Sequence, residues 1–215
     1  MTSTIKLYYD IASFYSALAI FRIARRIRDK SFKLKFELKP IVLGGVFKAQ
    51  GAPPPPADKL KYMSQDLDRL AKELGYPHFY NTHFPFSSAL ANRVILYLNT
   101  NESKFNNSEP EVPLAIRFSE KAFEATYVND VDPSKSENLV KILKTVLPDA
   151  DAEAIIKEAN SQKYKDLLKA YTNEAIEDGV FGAPSFICPD GELFWGNDRL
   201  ISAYKWADKV IKAKL

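Results

Sequence analysis

Between Thr4 and Arg28 the chain changes hydrophobic period once, and no other stretch constrains the fold as strongly. Ile5-Lys6-Leu7-Tyr8-Tyr9 is short, apolar and rich in β-formers, as a buried strand requires. Ala17, Ile20, Phe21, Ala24 and Ile27 then recur at the three- and four-residue spacing of one helix face. Ser13 stands at the joint, within Asp10-Ile11-Ala12-Ser13-Phe14-Tyr15-Ser16. A strand handing over to a helix this quickly places Ser13 at the helix N-terminus, where unpaired backbone N–H groups and the positive end of the dipole favour an anion. A hydroxyl there can steady a thiolate or carboxylate. It can equally be only an N-cap, a position at which serine is among the best residues.

Phe32 to Leu38 alternates apolar and charged residues, the period of a half-exposed second strand, so strand, helix and strand form a parallel βαβ unit. Pro40 to Pro56 reads as irregular chain, because Gly44-Gly45, Gly51 and the four prolines from Pro53 to Pro56 interrupt either regular structure. Helical spacing then dominates: Lys59 to Leu74, Ser88 to Leu98, Glu111 to Tyr127, Ser134 to Val146, Asp151 to Ala159 and Tyr164 to Glu177, with an aromatic loop from Pro77 to Pro85. Near the end, Ser185-Phe186-Ile187-Cys188, the turn Pro189-Asp190-Gly191 and Glu192-Leu193-Phe194-Trp195 read as a hairpin, followed by a last helix from Asn197 or Asp198 towards Lys212. The expected fold is α/β and thioredoxin-like with an all-helical insertion. Residues 1–56 and 178–215 make the discontinuous thioredoxin-like domain, and 57–177 the insertion.

Composition narrows the function. Hydrophobic residues make up 46% of the 215, ample for a packed core, and 30 Lys plus Arg against 27 Asp plus Glu leave a net charge of +3 with no dense basic stripe. Nucleic acid is therefore not an expected partner. Cys188 is the single cysteine, which excludes an internal disulfide and any Cys-x-x-Cys redox pair. No apolar run approaches the length of a membrane span and no apolar leader opens the chain, so a soluble intracellular protein is expected. His78 and His83 lack the carboxylate spacing of a metal site and read as loop residues. Cys188, Phe194 and Trp195 read as packing residues of the hairpin, although the two aromatics could stack on an aromatic substrate.

Three separated motifs carry a resemblance: Tyr9-Asp10-Ile11-Ala12-Ser13-Phe14-Tyr15-Ser16, Gly179-Val180-Phe181-Gly182-Ala183-Pro184 and Phe194-Trp195-Gly196-Asn197-Asp198-Arg199. In this order they resemble the kappa-class glutathione transferases and their bacterial relatives, the 2-hydroxychromene-2-carboxylate isomerases, both of the DsbA-type branch of the thioredoxin fold. The resemblance runs from the first strand to the last helix. It implies that Ser13 hydrogen-bonds the sulfur of glutathione, the cosubstrate, where a thioredoxin has its nucleophilic cysteine. Pro184 matches the family's cis-proline, with Ala183 facing the cysteinyl unit. Asn197 and Asp198 match residues at the γ-glutamyl end, where backbone N–H groups take the carboxylate and Asp198 the ammonium, and Arg199 completes the Asp-Arg pair. Lys59, ahead of the family-like Tyr62-Met63, matches a lysine that approaches the glycyl carboxylate.

Two departures stand out. Phe14 replaces the proline usual after the catalytic serine, and Ala52 falls where the family has an asparagine. The resemblance implies a kappa-type transferase in which the glutathione thiolate attacks a small electrophile. The alternatives are the corresponding glutathione-dependent isomerase, towards which Phe194-Trp195-Gly196-Asn197-Asp198-Arg199 and His83-Phe84-Pro85 lean, and a non-catalytic thioredoxin-fold binding protein. It implies a homodimer as well. Ala213-Lys214-Leu215 resembles the Ser-Lys-Leu peroxisomal address, so a peroxisomal matrix location is expected, or failing that a cytoplasmic one; a basic helix end reads the same way.

Overall fold

The computed structural model describes residues 4–53 and 55–213. β1 (Thr4–Tyr9) leads into α1 (Phe14–Arg28), and β2 (Lys35–Pro40) returns parallel to β1, pairing Leu7 with Leu38. α2 (Leu43–Ala49) follows, then α3 (Ala57–Glu73), α4 (Ala89–Asn101), α5 (Leu114–Tyr127), α6 (Ser136–Val146), α7 (Ala152–Ala159) and α8 (Gln162–Glu177). β3 (Ser185–Ile187) and β4 (Leu193–Trp195) form the hairpin, and a 3₁₀ turn over Asn197–Arg199 precedes α9 (Leu200–Lys212). The sheet order is β2-β1-β3-β4, with β3 antiparallel to both β1 and β4.

The two-residue period of β1 sorts its side chains between two layers. Ile5, Leu7 and Tyr9 enter the main core with α1, α5 and α9 residues, whereas Tyr8 joins Ile41, Val46, Ala175 and Val180 on the other face, under α2 and α8. Lys6 shares that second face. Its ammonium meets Glu174 and Asp178, each at 2.9 Å, while Lys39 bridges Glu37 (2.9 Å) and Glu174 (3.0 Å) and lies over the Tyr171 ring. Tyr8 donates to Asp178 at 2.7 Å. The half-buried charges of this face are thus paired, as charges removed from water must be.

The stretch read as irregular contains a helix. α2 forms across Gly44-Gly45 because its first amide, Leu43 N–H, donates to Asp10 Oδ2 at 2.8 Å, and because Gly45 lets the helix lie flat on α8. A Cβ at Gly45 would stand 3.2 Å from Thr172 Cγ2. Glycine here serves close packing rather than a turn. No helix among the described residues is long and apolar enough to cross a membrane.

Candidate active site

Ser13 caps α1 in extended geometry, its Oγ accepting from Ser16 N–H at 3.2 Å. The same hydroxyl donates to the Ala183 carbonyl at 2.9 Å, so the N-terminal motif and the residue before Pro184 meet, 170 positions apart in sequence. The Ala183-Pro184 peptide is cis. Ser13 is buried, and the first turn of α1 carries no acidic side chain while its last carries Arg25, Arg26 and Arg28. An anion at Ser13 would therefore face the positive end of a fifteen-residue helix with no carboxylate in its first turn, the nearby Asp10 carboxylate being held by Ala12 N–H, Leu43 N–H and Asn92. Ser16, at the end of the Ser-x-x-Ser motif, is wholly buried with an unpaired hydroxyl.

The other expected residues divide. Asn197 is buried, but its side chain is committed: Oδ1 accepts from Arg22 Nη1 of α1 at 2.8 Å. Its neighbour Asp198 is exposed and pairs with Arg199 Nε at 3.6 Å. All three lie in the 3₁₀ turn before α9 rather than in its first turn. Gly196 makes that turn, with φ 108°, a conformation costly for any residue with a side chain. Its N–H donates to the Pro184 carbonyl at 2.9 Å, which joins the third motif to the second. Lys59 is exposed in the first turn of α3. It stands two helical turns, about 10 Å, before Asp66, which accepts from Tyr15 Oη at 3.2 Å and so ties α3 to the start of α1. Ala52 is exposed, and its N–H donates to the Phe47 carbonyl at 3.0 Å.

Several residues that build the site were not singled out in sequence. Asp10, buried, accepts from Ala12 N–H (3.0 Å), Asn92 Nδ2 (2.8 Å) and Leu43 N–H (2.8 Å). Asn92 also donates to the Ile41 carbonyl at 2.8 Å and accepts from Ile11 N–H at 3.3 Å. This pair locks the loop carrying Ser13 to α2 and α4. The available signal was a polar residue on the apolar stripe of α4, between Ala91 and Val94, with the buried Ile95 and Leu96 one turn on. Arg22, on α1, had no such signal.

Phe14 fills the place of the usual proline by packing. Its ring lies 4.4 Å from Tyr127 and 5.6 Å from Phe84, centroid to centroid, so it seats the aromatic loop beside Ser13. Phe84 stays 47% exposed. Trp195, expected in the hairpin's packing, is instead 52% exposed and covers Gly182, where any Cβ would collide with the indole. Phe181 packs against it at 4.9 Å. Phe194 is the one that packs against the core. His78 is tied to the Val128 carbonyl at 3.1 Å, and no group of potential ligands among the described residues could hold a metal ion. Cys188, just after β3, is buried against α9, its thiol donating to the Ala203 carbonyl at 3.4 Å; burial first, then Asp190 and Glu192, push the thiol up to about 12, which leaves it inert at neutral pH.

With a hydroxyl and no thiol at position 13, the site cannot itself exchange disulfides. Comparisons with known proteins place the chain in a family. Residues 4–203 match the DSBA-like thioredoxin domain model. The 2-hydroxychromene-2-carboxylate isomerase of Sphingobium xenophagum is 30% identical over 208 residues, covering 93% of this chain and 95% of its own. Glutathione S-transferase kappa 1 of Homo sapiens is 26% identical over 205 residues, covering 92% and 87%. A solved 2-hydroxychromene-2-carboxylate isomerase superposes with a TM-score of 0.79 at 25% identity, covering 98% of this chain and 97% of that one. The chain belongs to the DsbA-like thioredoxin family, in the group that holds the kappa-class glutathione transferases and the 2-hydroxychromene-2-carboxylate isomerases.

Proposed function

We propose that the protein is a glutathione transferase of the kappa type. The observation that carries this reading is the Ser13 hydroxyl, set at the N-terminus of α1 and against Ala183 before the cis-proline. A thiol of pKa about 8.5 is mostly protonated at neutral pH. Beside Ser13 the helix dipole and a hydroxyl donor favour its thiolate, and the proton passes to solvent. The γ-glutamyl end would lie along the Asn197–Arg199 turn, with Asp198 at the ammonium and Lys59 towards the glycyl carboxylate. The thiolate then forms a carbon–sulfur bond with an electrophile entering between the sheet unit (1–56 with 178–215) and the helical insertion (57–177). A leaving group departs with its electron pair.

The structural likeness to the isomerase supports a second reading that shares the first step: the thiolate adds to an unsaturated carbon, the bond to be isomerised rotates, and the sulfur is eliminated. Purified protein assayed with glutathione and a chlorinated nitrobenzene, beside a chromene carboxylate, separates the two. Conjugate from the first substrate supports the transferase, glutathione-dependent isomerisation of the second the isomerase, and silence on both counts against either. We also propose a homodimer, supported by the exposed Leu60 and Tyr62 on α3; a 24.3 kDa species in sedimentation at micromolar concentration would exclude it. The peroxisomal address remains a proposal read from sequence, since Lys214 and Leu215 lie outside the described residues.

A further inference from the structure

A cavity of about 610 Å³ opens between α2, α4 and α8, and it shares no residue with the Ser13 site. Four cations line it, Lys48, Arg93, Lys165 and Lys169, and no carboxylate does. None of the four makes an ion pair among the described residues, whereas Lys6 and Lys39 on the neighbouring sheet face are both paired. Arg93 is the most constrained. Its Nη2 donates to Asn160 Oδ1 at 2.9 Å, while its Nε is buried without a partner, and burial lowers the pKa of the guanidinium. A buried donor left unpaired is costly unless a ligand satisfies it. Ala89 brings the N-terminus of α4 into the wall, and the first turn of that helix has no acidic residue. Between the charges the walls are apolar, from Val42, Leu168 and Ile176.

We propose that this cavity is a binding site for an organic anion, a carboxylate or phosphate head on an apolar body. The volume suits a small molecule, since ligand pockets run to about 300–1,000 Å³. Lys48, Lys165, Lys169 and Arg93, the last through its Nε, take the head, and the apolar wall takes the body. The proposal stands apart from any role of Ser13.

The test is a titration of the full chain, labelled with ¹⁵N, by octanoate, octyl phosphate and octanol, read from amide shifts. Saturable shifts of Gly45, Ala89, Thr172 and Asn173 with either anion, and none with octanol, are expected. Lys165→Glu with Lys169→Glu should weaken that binding by about tenfold or more. Lys205→Glu with Lys209→Glu, an equal charge change on α9, should leave it within about twofold. Absence of saturable shifts, equal weakening by both double variants, or shifts centred on Ser13 and Ala183 would overturn the proposal.

Discussion

Replacing Ser13 with alanine separates its two roles. In the free protein the hydroxyl donates to the Ala183 carbonyl at 2.9 Å and caps Ser16 N–H at 3.2 Å. To stabilise a thiolate it must turn from the carbonyl to the sulfur, so its contribution is a difference. A charge-assisted bond of about 1.5–3 kcal/mol replaces a neutral one of about 0.5–1.5 kcal/mol. The net, about 1–1.5 kcal/mol, corresponds to about one pH unit in the bound thiol and about five- to tenfold in conjugation at neutral pH. The lost cap and the lost bond to Ala183 together cost about 1–2 kcal/mol of stability. In a chain of this size that lowers Tm by roughly 2–8 °C. The assay is the thiolate absorbance of the glutathione complex titrated against pH, beside a melting curve. If the titration of the Ser13→Ala complex is unchanged and only Tm falls, Ser13 is a cap and the sulfur is ionised by backbone donors alone.

Further predictions concern the residues that frame the site. Arg22→Met should free Asn197 and loosen the turn before α9, weakening glutathione binding several-fold, about 1 kcal/mol, with little change in kcat. Saturation kinetics in glutathione checks this. Gly182→Ala should push the Trp195 indole off its seat and cost about 1–3 kcal/mol in denaturant unfolding, with a shifted tryptophan emission. At Glu174, burial pulls the carboxyl pKa up, but hydrogen bonds from Lys6 and Lys39 outweigh it and hold the pKa below its ordinary value. A group depressed in the folded state stabilises above its unfolded pKa and loses that stability as pH falls through the folded one. Glu174→Gln should therefore cost about 1–2 kcal/mol at neutral pH. The gap from wild type should close as pH drops below about 4. Cys188 should resist thiol reagents in the native protein at neutral pH and react fully on unfolding, as a titration with a chromogenic disulfide would show.

The parts of the fold readable in sequence were those with a period. β1, α1 and the helices from α4 to α8 each bury one regular stripe, and their spacing is their packing. α2 was missed because Gly44-Gly45 ordinarily breaks a helix, and only the tertiary neighbours, Thr172 beneath and Asp10 at the first amide, make it form. Ser13, Pro184 and Asn197 form a set in sequence only through the resemblance that three motifs carry. The contacts joining them, Ser13 to Ala183 and Gly196 to Pro184, span residues no local pattern relates. Trp195 was misjudged because a strand aromatic usually packs inward. Here the missing side chain of Gly182 offers the indole a seat on the outside. Asp10 and Asn92 form a polar pair whose meaning exists only once α4 is brought against the loop that follows β1.

Calorimetric titration of the protein with glutathione, at neutral pH in buffers of different ionisation enthalpy, tests the central claim most directly. A site that ionises the thiol predicts saturable binding whose heat varies with the buffer, because a proton is released to it for most of the thiols bound. Absence of saturable heat at millimolar glutathione, or binding whose heat is the same in every buffer, would contradict it.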